Sequence, residues 1–152
     1  FFYKLSIMKK LCFCLLATIS LSAYASLGES SEEVNNDAKN LSSWVSNIET
    51  TDNYVIKSIN TENTQIKEYI NPASDTVFAI RWAGKRIPNM KVLLGNNFDE
   101  FMNTKGSSHG LTSGSSANTD LISNYGGVPG HFFGQVILTK YLPQGLKIGD
   151  LK

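Results

Sequence analysis

The chain has 152 residues, 14 Lys and Arg against 13 Asp and Glu, with 41% hydrophobic and 11% aromatic content. Those values exclude a collagen-like or wholly disordered chain, and the length fits one domain that buries roughly two thirds of its unfolded surface without a metal or disulfide. A formal net charge of +1 leaves no electrostatic footprint for nucleic acid, so no nucleic-acid partner is expected.

At the front, Lys9 and Lys10 precede the apolar stretch from Leu11 to Ile19, and Ala23-Tyr24-Ala25 follows. Charged region, short apolar region and A-x-A site in that order predict a secretory signal peptide over residues 8–25, cleaved to leave Ser26 first. Phe1 to Ile7 stand before Met8 and read as upstream sequence that is not translated. The apolar run falls short of the roughly 20 residues that span a bilayer, so no transmembrane segment is expected after cleavage. Cys12 and Cys14 would leave with the leader, which excludes disulfides, thiolate catalysis and Cys-ligated zinc from the single domain expected at 26–152. Lys4, Lys9 and Lys10 would leave too, making the balance slightly negative.

Ser30-Ser31-Glu32-Glu33 has the spacing of a capping box. Behind it Val34, Ala38, Leu41, Trp44, Val45 and Ile48 recur at three- and four-residue steps, which predicts an amphipathic helix of about four turns ended by Asp52-Asn53. Three runs rich in β-branched and aromatic residues come next, at 54–59, 65–70 and 76–82. Turn-forming segments at 60–64 and 71–75 separate them, so they should pair as an antiparallel meander. In the third run strict alternation puts Phe78, Ile80 and Trp82 on one face and Val77, Ala79 and Arg81 on the other. Pro88, Met90, Leu93 and Leu94 suggest a short helix stopped by Gly95, with a further apolar turn at Phe98, Phe101 and Met102. Residues 103–119 are almost wholly Gly, Ser, Thr and Asn and are expected as a flexible loop. Two more strands, at 120–125 and 131–142, flank a Gly- and Pro-rich connection. The sum is an α+β domain: an N-terminal amphipathic helix packed on an antiparallel sheet of about five strands.

The chain resembles a family at three places. The run from Lys67 to Gly84, continuing through Pro88-Asn89-Met90 to Leu93-Leu94-Gly95, is similar to the central signature of an uncharacterised family of exported bacterial proteins, domain of unknown function 2844. Tyr125-Gly126-Gly127, His131, Phe133-Gly134 and Leu142-Pro143-Gln144-Gly145 resemble its C-terminal signature, and Ser26-Leu27-Gly28 its usual mature start. The chain departs from the pattern at Val128-Pro129, in the Ser/Gly stretch before Asp120 and at Asp75. The resemblance implies export and fold; it implies no activity.

No catalytic, cofactor-binding or metal-binding set is expected. His109 and His131 are the two histidines, 22 residues apart with no cysteine to complete a zinc site. The string from Gly110 to Gly114 is not a nucleophile elbow, and the glycines at 126–130 lack the Lys-Ser/Thr pair of a phosphate loop. Glu32-Glu33 and Asp99-Glu100 are adjacent pairs that diverge by about 100° on a helix. One cluster stands out: Arg81, Lys85, Arg86 and Lys91, around Trp82 with no acid between Asp75 and Asp99, could present cations to an anionic ligand or partner. The expectation is therefore an exported, periplasmic or extracellular, non-enzymatic module that binds or scaffolds an envelope component or protein. Two alternatives stand beside it: a small envelope hydrolase using His131 with a carboxylate, and a chaperone-like export factor working through a sheet edge.

Overall fold

Among the described residues seven antiparallel strands carry the fold: β1 (Val45–Thr50), β2 (Val55–Asn60), β3 (Thr64–Asn71), β4 (Thr76–Gly84), β5 (Ser113–Ala117), β6 (Leu121–Val128) and β7 (His131–Leu138). They lie in the order β1-β2-β3-β4-β7-β6-β5, two hairpin meanders joined where β4 pairs with β7. The computed structural model describes residues 26–103, 113–117 and 120–152. The expected leader with Cys12 and Cys14, and His109, lie outside them. Among the described residues three short α-helices accompany the sheet: α1 (Glu33–Asn40), α2 (Met90–Leu94) and α3 (Phe98–Asn103). The class is thus α+β, mostly sheet.

Local chemistry explains the turns. Thr61 receives the Thr64 N–H on its Oγ1 at 3.0 Å between β2 and β3, and the Asn71 side chain caps Ala73 N–H at 3.0 Å between β3 and β4. Val128 pairs with His131 across Pro129-Gly130, where Gly130 takes φ 87°, a backbone state that glycine enters without penalty. Asn89 caps α2, accepting from Val92 N–H at 3.3 Å.

The first helix is shorter than the sequence periodicity suggests. It ends at Asn40, and Ser42 turns the chain with φ 57°. Ser43 N–H bonds to Ala38 O at 2.7 Å and Ser42 N–H to Lys39 O at 2.9 Å, the paired closing bonds of a Schellman motif. Val45 and Ile48 then belong to β1, which pairs with β2, and Trp44 and Ile48 are 73% and 59% exposed instead of lying on the core. Ladder hydrogen bonds to β2 replaced the expected last helical turns. Ser30 is not the cap either: Glu32 holds that position without a side-chain bond, and Ser30 bridges to Thr76.

Alternation in β4 is also broken. Ile70 pairs with Val77 and Tyr69 with Ala79, so Phe78 is an extra residue in a β-bulge, which shifts the parity on either side of it. Val77, Ile80 and Trp82 pack in the cluster under the helices, whereas Phe78 and Ala79 pack in the cluster on the opposite face. Within the expected loop at 103–119, α3 runs to Asn103 and β5 occupies Ser113–Ala117, paired with β6 from Ser113↔Gly126 to Ala117↔Ile122. Backbone pairing needs no apolar side chain, so a Ser/Gly sequence suffices for an edge strand.

The sheet consequently buries both faces. On one lie Val34 and Ala38 of α1, Leu93 and Leu94 of α2 and Phe101 of α3, over Ile59, Ile66 and Val136. On the other, the segment from Tyr141 through Leu151 covers Tyr54, Ile56, Tyr69 and Phe78. That cover is partial, and the uncovered part forms the candidate site.

Candidate functional site

Register places the polar residues of the second face in one row. Ser58 pairs with Lys67, Lys67 with Arg81, Arg81 with Gln135 and Gln135 with Asn124, so five neighbouring strands present polar side chains side by side. The adjacent row, Ile56-Tyr69-Ala79-Ile137-Ile122, is apolar throughout, and the C-terminal segment lies over it. The row beyond runs Asn60-Gln65-Ala83-Phe133-Gly126, and Phe133 is 60% exposed. An open cleft of about 540 Å³ follows the polar row, with Gln65, Lys67, Arg81, Asn124, Phe133 and Gln135 in its walls.

Two cations face each other here. Lys67 and Arg81 are direct cross-strand partners, and like charges in that relation repel. Arg81 is held in place by Nη1 to Leu151 O at 2.7 Å and by a hydrogen bond to the Tyr69 hydroxyl, and its planar five-donor fork keeps further N–H groups for a ligand. Beside it, the Tyr69 hydroxyl donates to Lys152 O. Burial holds the Tyr69 phenol above its ordinary pKa, with the Arg81 hydrogen bond and charge opposing that rise, so it is a neutral donor in the floor of the cleft.

The four cations singled out from sequence are dispersed. Arg81 lines the cleft on the open face. Lys85 lies at a different depression beside His131 and Gly127, and Arg86 and Lys91 are exposed, Lys91 on α2. The partner that geometry supplies to Arg81 is Lys67, which an adjacency search along the chain passes over because it lies fourteen positions upstream. Alternation within 65–70 does put Gln65, Lys67 and Tyr69 on one face, but register alone sets Lys67 against Arg81. His131 is exposed, and the depression that it lines includes Lys85 but no Asp or Glu. Among the described residues no group of three His, Cys, Asp or Glu is placed to hold a metal, and no helix is long and apolar enough to cross a membrane.

A second polar cluster sits on the helix face. Asp37 and Glu68 are fully buried beside an equally buried Ser26. Ser26 N donates to Asp37 Oδ2 at 3.0 Å, and the Ser26 hydroxyl donates to Glu68 Oε2. Among the described residues Asp37 Oδ1 and Glu68 Oε1 have no hydrogen-bond partner. Burial pushes Asp37 up to about 7, opposed by its bonds from Ser26. Burial and the neighbouring Asp37 charge push Glu68 up to about 8. Perturbed carboxylates often mark active sites, but this pair has no surface on which a substrate could land. In the sequence Asp37 looked like a polar spacer of the helix and Glu68 like an ordinary strand residue. Nothing local announced their meeting.

What fold and site define is a two-faced antiparallel sheet with a cationic polar row on its open side. The profile of the family described as Protein of unknown function (DUF2844) matches residues 23–151, and the chain belongs to that family. No curated protein and no solved structure matches it.

Proposed function

We propose that this chain is an exported, non-enzymatic binding module of the bacterial cell envelope, and that its ligand presents a phosphate or carboxylate to Lys67 and Arg81 on the open sheet face. The supporting observation is the pair itself: two cations directly opposed across β3 and β4 relieve their repulsion when an anion lies between them. Amide side chains of Gln65, Asn124 and Gln135 along the same cleft supply neutral donors around such a group, and exposed Phe133 supplies an apolar contact. Export rests on the order of charge, apolar run and Ala-x-Ala at the front of the sequence.

Titration with inorganic phosphate, followed by NMR, tests the site. Saturable shifts confined to the amides around Lys67, Arg81 and Gln135 are expected, with Lys67→Ala weakening binding at least about 10-fold, or 1.4 kcal/mol, at unchanged melting temperature. Equal binding by Lys67→Ala, or shifts scattered over the surface, would overturn the reading. Export is tested separately by fractionation of cells that express the whole chain.

A second reading has one observation in its favour. The outer edge of the sheet at β1 carries Trp44 and Ile48 exposed, the features of an edge that accepts an added strand. The hydrolase alternative gains no such support, since the depression at His131 contains no carboxylate.

A further inference from the structure

The buried carboxylate cluster is built around the backbone nitrogen of the residue at which the sequence predicts cleavage. We infer that the docking site formed by Asp37 and Glu68 receives the α-ammonium group created at Ser26 when the leader is removed, so that processing supplies the missing counter-charge of the core. This rests on the export reading above.

Three observations converge. The segment after Ser26 is clamped to the sheet: Gly28 N–H bonds to Val77 O and Val77 N–H to Glu29 O, each at 2.9 Å, and Asn97 Nδ2 holds Leu27 O at 3.0 Å. Ser26 is thus fixed at a defined place, fully buried together with Leu27. Second, the donor count fits. A peptide nitrogen offers one N–H, already given to Asp37 Oδ2, and the cluster holds two more carboxylate oxygens with no donor among the described residues, Asp37 Oδ1 and Glu68 Oε1. An ammonium has three donors. Third, the charges fit. Two buried carboxylates without a counter-ion are costly to the fold unless protonated. The charged groups that act on them are Glu33 of α1 on Asp37, which adds to the repulsion, and Lys57 of β2 on Glu68, whose Nζ is committed to Ser31 O at 2.6 Å. An ammonium at Ser26 adds the positive charge that this set lacks.

The pH response then separates the two forms. With an amide nitrogen at Ser26, the folded carboxylates titrate at about 7 and about 8, above their ordinary values. Their contribution is complete below the ordinary carboxylate range and is lost as pH rises through 7 and 8. With an ammonium in place the carboxylates ionise lower, and stability holds until the amine itself loses its proton.

The test uses the whole chain expressed with its leader in a Gram-negative host. Intact mass of the exported protein should give Ser26 as first residue. Its α-amine should react with an acylating reagent at least about 10-fold more slowly in the folded than in the denatured protein. A Gly-Gly insertion between Ala25 and Ser26, which moves the new amine out of the cluster, should lower the melting temperature at pH 8 by at least about 4 °C and by much less at pH 5. In Glu68→Gln the insertion should cost less than in wild type. A Ser26 amine that reacts as fast as in denatured protein, or an insertion that leaves the pH 8 melt unchanged, overturns the inference while leaving export standing. Cleavage at another bond does the same. An unprocessed chain retained in the cytoplasm overturns the export reading and this inference with it.

Discussion

Ser42 shows how one residue redirects the chain without a visible sequence signal. A residue at the C′ position of a Schellman motif takes a left-handed backbone, which favours glycine; here serine takes it, with φ 57°. The closing bonds from Ser43 to Ala38 and from Ser42 to Lys39 outweigh that local cost. Because the usual glycine was missing, the apolar spacing of Leu41, Trp44 and Val45 read as more helix. Ser42 is exposed, so Ser42→Gly removes strain and adds no clash. The substitution should raise stability by about 0.5–1 kcal/mol, measured by urea unfolding with an unchanged slope. A destabilised variant would mean that the Ser42 side chain contributes more than its backbone angle costs.

At the scale of elements, β2, β3 and β4 were legible because β-branched and aromatic runs bounded by Asn, Pro and Asp leave few other solutions. Short helices α2 and α3 were legible from apolar spacing and from Gly95. Two features were not. A bulge at Phe78 reverses facing along β4, and only pairing with β3 reveals it; β5, Ser113-Gly-Ser-Ser-Ala117, has a strand's backbone with a loop's composition. The candidate site shared this limit: Arg81 was marked by its charge, while Lys67 acquired meaning from register. Despite the reversed parity of Phe78, Trp82 is in the core, 4% exposed, and it lies over Gly134, where an added Cβ would come within 2.2 Å of Trp82 Cζ2. Trp82→Ala should cost about 3–5 kcal/mol, and Gly134→Ala about 1–3 kcal/mol through overpacking. In the double variant the second loss should shrink, since the indole that the new methyl strikes is gone. Strict additivity in chemical unfolding would show that the Gly134 restriction lies in Tyr125 Cβ, 2.7 Å from the same position, and not in the indole.

Across the whole molecule, a sheet apolar on both faces must be covered twice, and the two covers differ in kind. Helices α1 to α3 lie on one side, joined by Leu27 of the N-terminal segment. The other side is closed by the chain after β7, which has only short 3-10 turns at Thr139–Tyr141 and Ile148–Asp150. Without regular structure of its own, that segment is held by its contacts to the sheet: Asn71 Nδ2 to Tyr141 O at 3.0 Å, Arg81 to Leu151 O, Tyr69 to Lys152 O, and the buried Leu151 side chain. Arg81 thus links the cover to the candidate anion site, because the same guanidinium closes the apolar row and faces Lys67. Leu151→Ala keeps the backbone acceptor and removes only apolar contact, so it should destabilise by about 2–4 kcal/mol. Loosening the last residues should also free Arg81 from its tether and weaken phosphate binding at the cleft, although residue 151 has no side chain in that cleft. Lys67→Ala makes the opposite pairing, with binding lost and stability kept. Urea melts and phosphate titrations of both variants check this. A Leu151→Ala protein that melts early yet binds phosphate like wild type would show that cover and site are independent, and that Arg81 is held in position by the sheet alone.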